Sequence, residues 1–168
     1  SPADLVVGNP EGDVTMVEFF DYNCSWCKKG MPEVVELLEN DKGLRFVLKE
    51  FPIFGADSEY AARAALASKK QGKYWEFHLA MLGHEGKVNK DSVDEIARAQ
   101  GLDVERMKQD MESDEIAGTI ARNTIGHRSN HGSAATAEAY SLSASATVAD
   151  PPGSLSEPGS PYRCATRA

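Results

Sequence analysis

The stretch VEFFDYNCSWCKKGMPEV, residues 17–34, decides how this chain is read. It passes from an apolar run to a helical pattern, and two cysteines three positions apart, Cys24 and Cys27, stand at the change-over. Upstream, Val14–Phe20 (VTMVEFF) is rich in β-branched and aromatic residues. Its nearly continuous apolarity predicts a strand covered on both faces, as in an α/β sheet. Downstream, Met31, Val34, Val35, Leu37 and Leu38 recur at helical spacing until ENDKG (39–43) closes the element. A second strand is predicted over Leu44–Leu48, ending in KEFPIFG (49–55). Strand, helix and strand joined by short links form a βαβ unit, so the two strands should run parallel.

Cysteines spaced C-x-x-C can be a structural disulfide, half of a metal site or a redox pair. A three-residue spacing closes too small a loop to restrain the unfolded chain much. A zinc site would need ligands such as His127 and His131, whose H-x3-H spacing is suitable, but they lie 100 residues away in a low-complexity segment. The strand–CxxC–helix context favours redox chemistry, with no metal expected. Cys24 at the start of a helix places its sulfur beside unpaired N–H groups and the positive end of the helix dipole, which stabilise a thiolate. Cys27, one turn on and expected to be more buried, is then the resolving thiol. Lys28 and Lys29 add positive charge nearby, and Pro32 falls inside the helix, where it should kink it. Glu18 interrupts the apolar strand; a buried carboxylate without a partner has a raised pKa, and such a group can relay the proton of Cys27. If instead Glu18 faces solvent at a sheet edge, it has no such role. Tyr22, Ser25 and Trp26 flank the pair and are candidates for a substrate-binding rim, Tyr22 and Trp26 equally for packing. His78 shares a helix face with Trp75, Leu79 and Leu82, which suits a core histidine; His84 carries no signal. Cys164, among Pro, Ser and Arg, reads as an idle thiol.

The chain has 168 residues, 41% hydrophobic and 26% charged, the profile of a globular domain. A net charge of −8 argues against nucleic acid as a partner, and no apolar run approaches a membrane span. Ser1 begins no secretion signal, so an exported protein would have lost it already. Residues 1–13 read as a loop, with GNPEGD (8–13) supplying turn chemistry. From Ser58 to about Arg122 the pattern is helical, with Gly72 a stop, Asp91 and Asp103 N-caps, Gly101 a C-cap, and Leu102 and Met107 spaced for a hydrophobic staple. Residues 123–168 contain no Lys, Phe, Trp or Met and are dominated by Ala, Ser, Gly, Thr and Pro, a composition with little to bury. Within them only YSLSASATV (140–148) alternates as a strand would. The organisation expected is a βαβ half over 1–56, a helical insertion over 57–122 and an atypical segment over 123–168.

GNPEGDVTMVEFFDYNCSWCKK, FPIFG, SEYAARAALAS and KYWEFH, in that order, resemble the DsbA-like thiol:disulfide oxidoreductases over about residues 5–122. The resemblance implies a thioredoxin-like fold with an inserted helical domain. It implies Cys24 as nucleophile, Cys27 as resolving thiol and Glu18 as buried acid. It also implies an oxidase or isomerase of protein cysteines in the bacterial periplasm or another extracytoplasmic compartment. Such an enzyme needs no cofactor beyond its own disulfide, and a redox partner to reset the pair. The sequence departs from the family at position 25, Ser where Pro is common, and after residue 122, where no Thr-Pro or Val-Pro step leads back to the sheet. Pro151, Pro152, Pro158 and Pro161 follow Asp, Pro, Glu and Ser. The composition switch near Asn123 reads like translation in a shifted frame. The C-terminal strands of the fold are therefore expected to be missing or replaced, leaving strand 14–20 with an open edge that invites a homo-oligomer. Alternatives to the enzyme are a soft-metal binder and a catalytically impaired remnant.

Overall fold

The computed structural model describes residues 5–132, with side chains as far as Ile125. Three strands form one sheet: β1 (Leu5–Gly8), β2 (Val14–Phe20) and β3 (Leu44–Glu50), in the order β1-β3-β2. β2 and β3 are parallel, with Val14 opposite Leu44 and Phe20 opposite Glu50, and α1 (Ser25–Asn40) makes the crossover. The βαβ unit is as the sequence predicted. β1, by contrast, lies in the segment expected to be a loop, and it pairs antiparallel with β3, Leu5 opposite Leu48. Four residues carry too short an alternation to read alone; their backbone groups are satisfied by β3, more than 35 positions away. Gly8 closes β1 at φ +78°, and a Cβ there would stand 2.5 Å from the carbonyl oxygen of Leu44.

The both-face burial expected of β2 belongs to β3. Phe46, Val47 and Leu48 in the central strand are 0–3% exposed. β2 is outermost among the described residues, and its burial alternates, with Thr15 exposed and Val17 49% exposed. Alternate side chains of a strand point to opposite faces, and the face of β2 that carries Thr15 and Val17 is left exposed. The strand proposed at 140–148 lies outside the described residues, as does Cys164.

The helical part comprises α2 (Ala56–Ser68), α3 (Tyr74–Leu82), α4 (Lys90–Ala99), α5 (Val104–Met111) and α6 (Asp114–Gly132). In α2, Ala61, Ala62, Ala64, Ala65 and Ala67 are each at most 1% exposed. Side chains of one carbon let α3, α4 and α5 approach closely, and Phe77, Met81, Val93 and Met107 fill the space between them. A short 3₁₀ turn follows α2 and stops at Gly72 in the left-handed region, as anticipated. Asp103 caps α5 by accepting the Arg106 N–H at 3.0 Å. The α4 cap is Asn89 rather than Asp91: its side chain accepts the Ser92 N–H at 3.0 Å, and Ser92 Oγ accepts the Asn89 N–H at 2.9 Å. This reciprocal pair satisfies two backbone donors at once, which leaves Asp91 in the first turn, near the positive end of the helix dipole. The composition switch at Asn123 does not end the helix, since α6 continues to Gly132. Asn123 itself is buried and donates from Nδ2 to the Glu50 carbonyl at 3.0 Å.

Candidate active site

Parallel β2 and β3 carry their C-terminal ends to one edge of the sheet, and there Asp21, Tyr22 and Asn23 link β2 to α1. Cys24 is the N-cap of α1. Its Sγ accepts the Cys27 N–H at 3.3 Å, and its own N–H donates to the Asp21 carbonyl at 3.0 Å. The sulfur therefore occupies the place of a capping oxygen, against the first free N–H groups of the helix. Both thiols are free and partly buried. Burial pushes the Cys27 thiol up to about 12, reinforced by its hydrogen bond with Cys24 and by the charges of Cys24 and Glu18, while a backbone hydrogen bond from Asp21 works the other way. Glu18, two residues back from Phe20 on β2, is partly buried, and its Oε2 is enclosed without a hydrogen-bond partner. Desolvation pushes its carboxyl from 4.5 to about 7.

The flanking residues divide. Ser25 and Trp26 are exposed, Trp26 at 59%, with the Lys29 ammonium 4.9 Å from the indole ring. Tyr22 forms no rim: it is 1% exposed, and its hydroxyl is used in the core. It donates to Glu50 Oε1 at 2.9 Å, as Tyr74 does at 2.7 Å. His78 Nδ1 lies 3.0 Å from the same Tyr22 oxygen, so with the tyrosine proton on Glu50, the Nδ1–H form of His78 completes the chain. His78 is fully buried among Phe20, Tyr22, Tyr74 and Trp75, a core histidine as its helix face indicated. Burial holds it down at about 3 and pushes Glu50 up to about 8.

Sequence reasoning missed the residues that hold the redox turn in place. Asp21 is 3% exposed, and its carboxylate accepts from the N–H groups of Asn23, Ile53 and Phe54 and from Ser58 Oγ. Asn23 bonds the backbone N–H and carbonyl of Val88 at 2.8 and 3.0 Å. Lys28 donates to the carbonyls of His84 and Gly86 at 2.8 and 2.7 Å, so its charge serves the 83–88 loop. The polar run DYN between an apolar strand and the cysteines was the available signal. α1 runs through Pro32, whose ring leaves the Lys28 carbonyl without its usual helical donor. Among the described residues no cluster of three His, Cys, Asp or Glu side chains is placed to hold a metal; the side chains of His127 and His131 lie outside them. Nor is any described helix long and apolar enough to cross a membrane.

A small mixed sheet, a helical insertion and a dithiol capping the crossover helix define the thioredoxin-like class that carries thiol–disulfide chemistry. The DSBA-like thioredoxin domain model matches residues 15–129, and the chain belongs to that family. A thioredoxin-like oxidoreductase from Silicibacter pomeroyi superposes with a TM-score of 0.75 at 48% identity, over 79% of this chain and 76% of that one. The thiol-disulfide exchange protein alpha-DsbA2 from Wolbachia pipientis gives 0.70 at 28% identity, over 77% and 70%. The Na(+)/H(+) antiporter NhaA 3 of Salinispora tropica is 32% identical over 122 residues, 71% of this chain. The chain spans about a fifth of the length of the curated relatives it matches, 19% in that case.

Proposed function

We propose that this chain is a dithiol–disulfide exchange enzyme acting on cysteine-containing polypeptides, as an oxidase or isomerase, in the periplasm or another extracytoplasmic compartment. One observation carries the reading: Cys24 Sγ caps α1 while the Cys27 thiol is held at about 12, beside a carboxyl raised to about 7. The two sulfurs are thus made unequal, which directional exchange requires. In the oxidised form a substrate thiolate attacks Cys24 Sγ and the Cys24–Cys27 bond breaks. Cys27 leaves as a thiolate and takes a proton from neutral Glu18. A second substrate thiolate then attacks the substrate sulfur of the mixed disulfide and releases Cys24 as a thiolate held by the helix N-terminus. Two electrons have passed from the substrate dithiol to the enzyme, and the substrate leaves as a disulfide. A partner disulfide restores the Cys24–Cys27 bond by the reverse steps, and the enzyme uses no other cofactor. Stable protein disulfides form chiefly in oxidising compartments, which supports the location.

The test is equilibration against glutathione at a series of ratios, followed by acid quenching and mass counting of alkylated Cys24 and Cys27. A two-electron transition is expected. A midpoint near about −120 mV marks an oxidase, and one near about −180 mV an isomerase. Two independent, ordinary thiols would overturn the proposal, and stoichiometric metal in the purified protein would favour the soft-metal reading.

A further inference from the structure

Asn23, immediately before Cys24, and Lys28, one helical turn after it, both bind the loop 83–88 that lies between α3 and α4. Asn23 Oδ1 accepts the Val88 N–H at 2.8 Å, while Nδ2 donates to the Val88 carbonyl and to Ser58 Oγ, both at 3.0 Å. The side-chain amide thus pairs with both main-chain groups of one residue, as a neighbouring strand would. Val88 is fully buried, so this anchor is part of the core. From the far side of the cysteine, Lys28 Nζ donates to the His84 and Gly86 carbonyls at 2.8 and 2.7 Å. Gly86 stands in the left-handed region at φ +81°, and both carbonyls meet one ammonium there. The loop groups engaged in this way are all backbone. Between the two fastenings, the Cys24 N–H donates to the Asp21 carbonyl at 3.0 Å, and its own carbonyl accepts the Lys28 N–H at 3.1 Å. Its Sγ accepts the Cys27 N–H at 3.3 Å.

We propose that Asn23 is a positioning residue for the dithiol: with Lys28 it fastens the Cys24 turn to the loop 83–88, and this fastening favours the reduced pair over the disulfide. In the reduced form, Cys24 Sγ keeps its capping place only through hydrogen bonds and the backbone of the turn. In the oxidised form its covalent bond to Cys27 holds the sulfur, whatever the turn does. Order imposed from the loop therefore contributes more to the reduced form, where it keeps the sulfur against the helix N–H groups. A contact that stabilises one redox form more than the other shifts the equilibrium between them by the same factor. The helical insertion is thereby part of the redox site, although its loop carries none of the reacting atoms. This inference rests on the exchange reading above, which a two-electron transition in the wild-type chain tests on its own, without any variant.

The experiment pairs glutathione equilibration of the full chain with urea unfolding of its reduced and oxidised forms. Two glutathione thiols reduce the Cys24–Cys27 disulfide and leave joined as glutathione disulfide. Two electrons pass, so the midpoint is read as the squared thiol concentration over the disulfide concentration. Asn23→Ala should raise that midpoint about 3- to 10-fold, the factor that loss of support for a helix cap costs the reduced form. Its folding constant should fall further in the reduced form than in the oxidised one, by the same factor. Asp103→Ala, which removes the α5 cap, should weaken both forms equally and leave the midpoint in place. Lys28→Met should also raise the midpoint, and the shift should persist in about 0.5 M salt, where a bare charge effect is screened. Lys28→Arg keeps donors for both carbonyls and should stay near the wild type. Lys28 is partly exposed, so its variants test the fastening even where Asn23→Ala folds poorly. Equal losses in both redox forms of Asn23→Ala, with an unmoved midpoint, would leave Asn23 a structural residue and overturn the proposal. A Lys28→Met shift that salt removes, or no shift at all, would overturn it as well.

Discussion

Glu18 and Glu50 are both carboxylates in an apolar sheet, yet only Glu18 was legible in the sequence. Glu18 interrupts a seven-residue apolar run, whereas Glu50 follows Lys49 at the end of a strand, where charge ordinarily marks the exit to solvent. Tyr22 and Tyr74 make the difference, by supplying the hydroxyls that let Glu50 be buried. For Glu18 the raised pKa gives a definite sign. The folded state binds its proton more tightly than the unfolded chain, so its contribution is fully present below about 4.5 and is lost as pH rises through about 7. Glu18→Gln should therefore be more stable than the wild type at pH 8, by on the order of 2 kcal/mol, with the advantage fading toward pH 4. The same variant should slow the pH-dependent release of Cys27 from the disulfide. Urea denaturation at the two pH values and stopped reduction by dithiothreitol check the pair of effects. An advantage over the wild type no larger at pH 8 than at pH 4 would show that the carboxyl is not desolvated.

At the scale of elements, periodicity identified α1, β2 and β3 and most of the helical lobe because each repeats its own local signal over a sufficient length. Where two capping residues compete, geometry chooses. Asn89 and Ser92 satisfy each other's backbone donors, and Asp91 does not take part. Asn89→Ala should accordingly lower stability by about 1 kcal/mol, while Asp91→Ala should change it by less than about 0.5 kcal/mol. Thermal melts of the two variants side by side decide this, and a reversed order would return the cap to Asp91. β2 departs from what its periodicity indicates. Its composition announces a strand, but Thr15 and Val17 share a face of the sheet that is left exposed, which composition does not record.

Across the whole molecule, the buried groups that titrate pull in opposite directions. His78 is held at about 3 against an ordinary 6.5, so the unfolded chain takes up its proton first, and stability falls as pH drops below about 6.5. Glu50, held at about 8 against 4.5, acts with Glu18 to lower stability as pH rises above about 4.5. The urea midpoint should peak between these limits and decline on both sides. Glu50→Gln, which keeps an acceptor for both tyrosines, should flatten the alkaline side and leave the acid side in place. A midpoint that rises steadily to pH 8 would contradict the buried state of both carboxyls. The sequence by itself determined the βαβ order, the dithiol at the start of a helix and the helical lobe that follows, since all of these are written in spacings of a few residues. The tertiary structure decided that among the described residues β3 pairs on both sides, that Leu5–Gly8 joins the sheet, that Tyr22 turns inward, and that Asp21 gathers a loop more than 30 residues away. Each of those depends on which backbone donors and acceptors meet across long separations, and spacing along the chain carries no record of that.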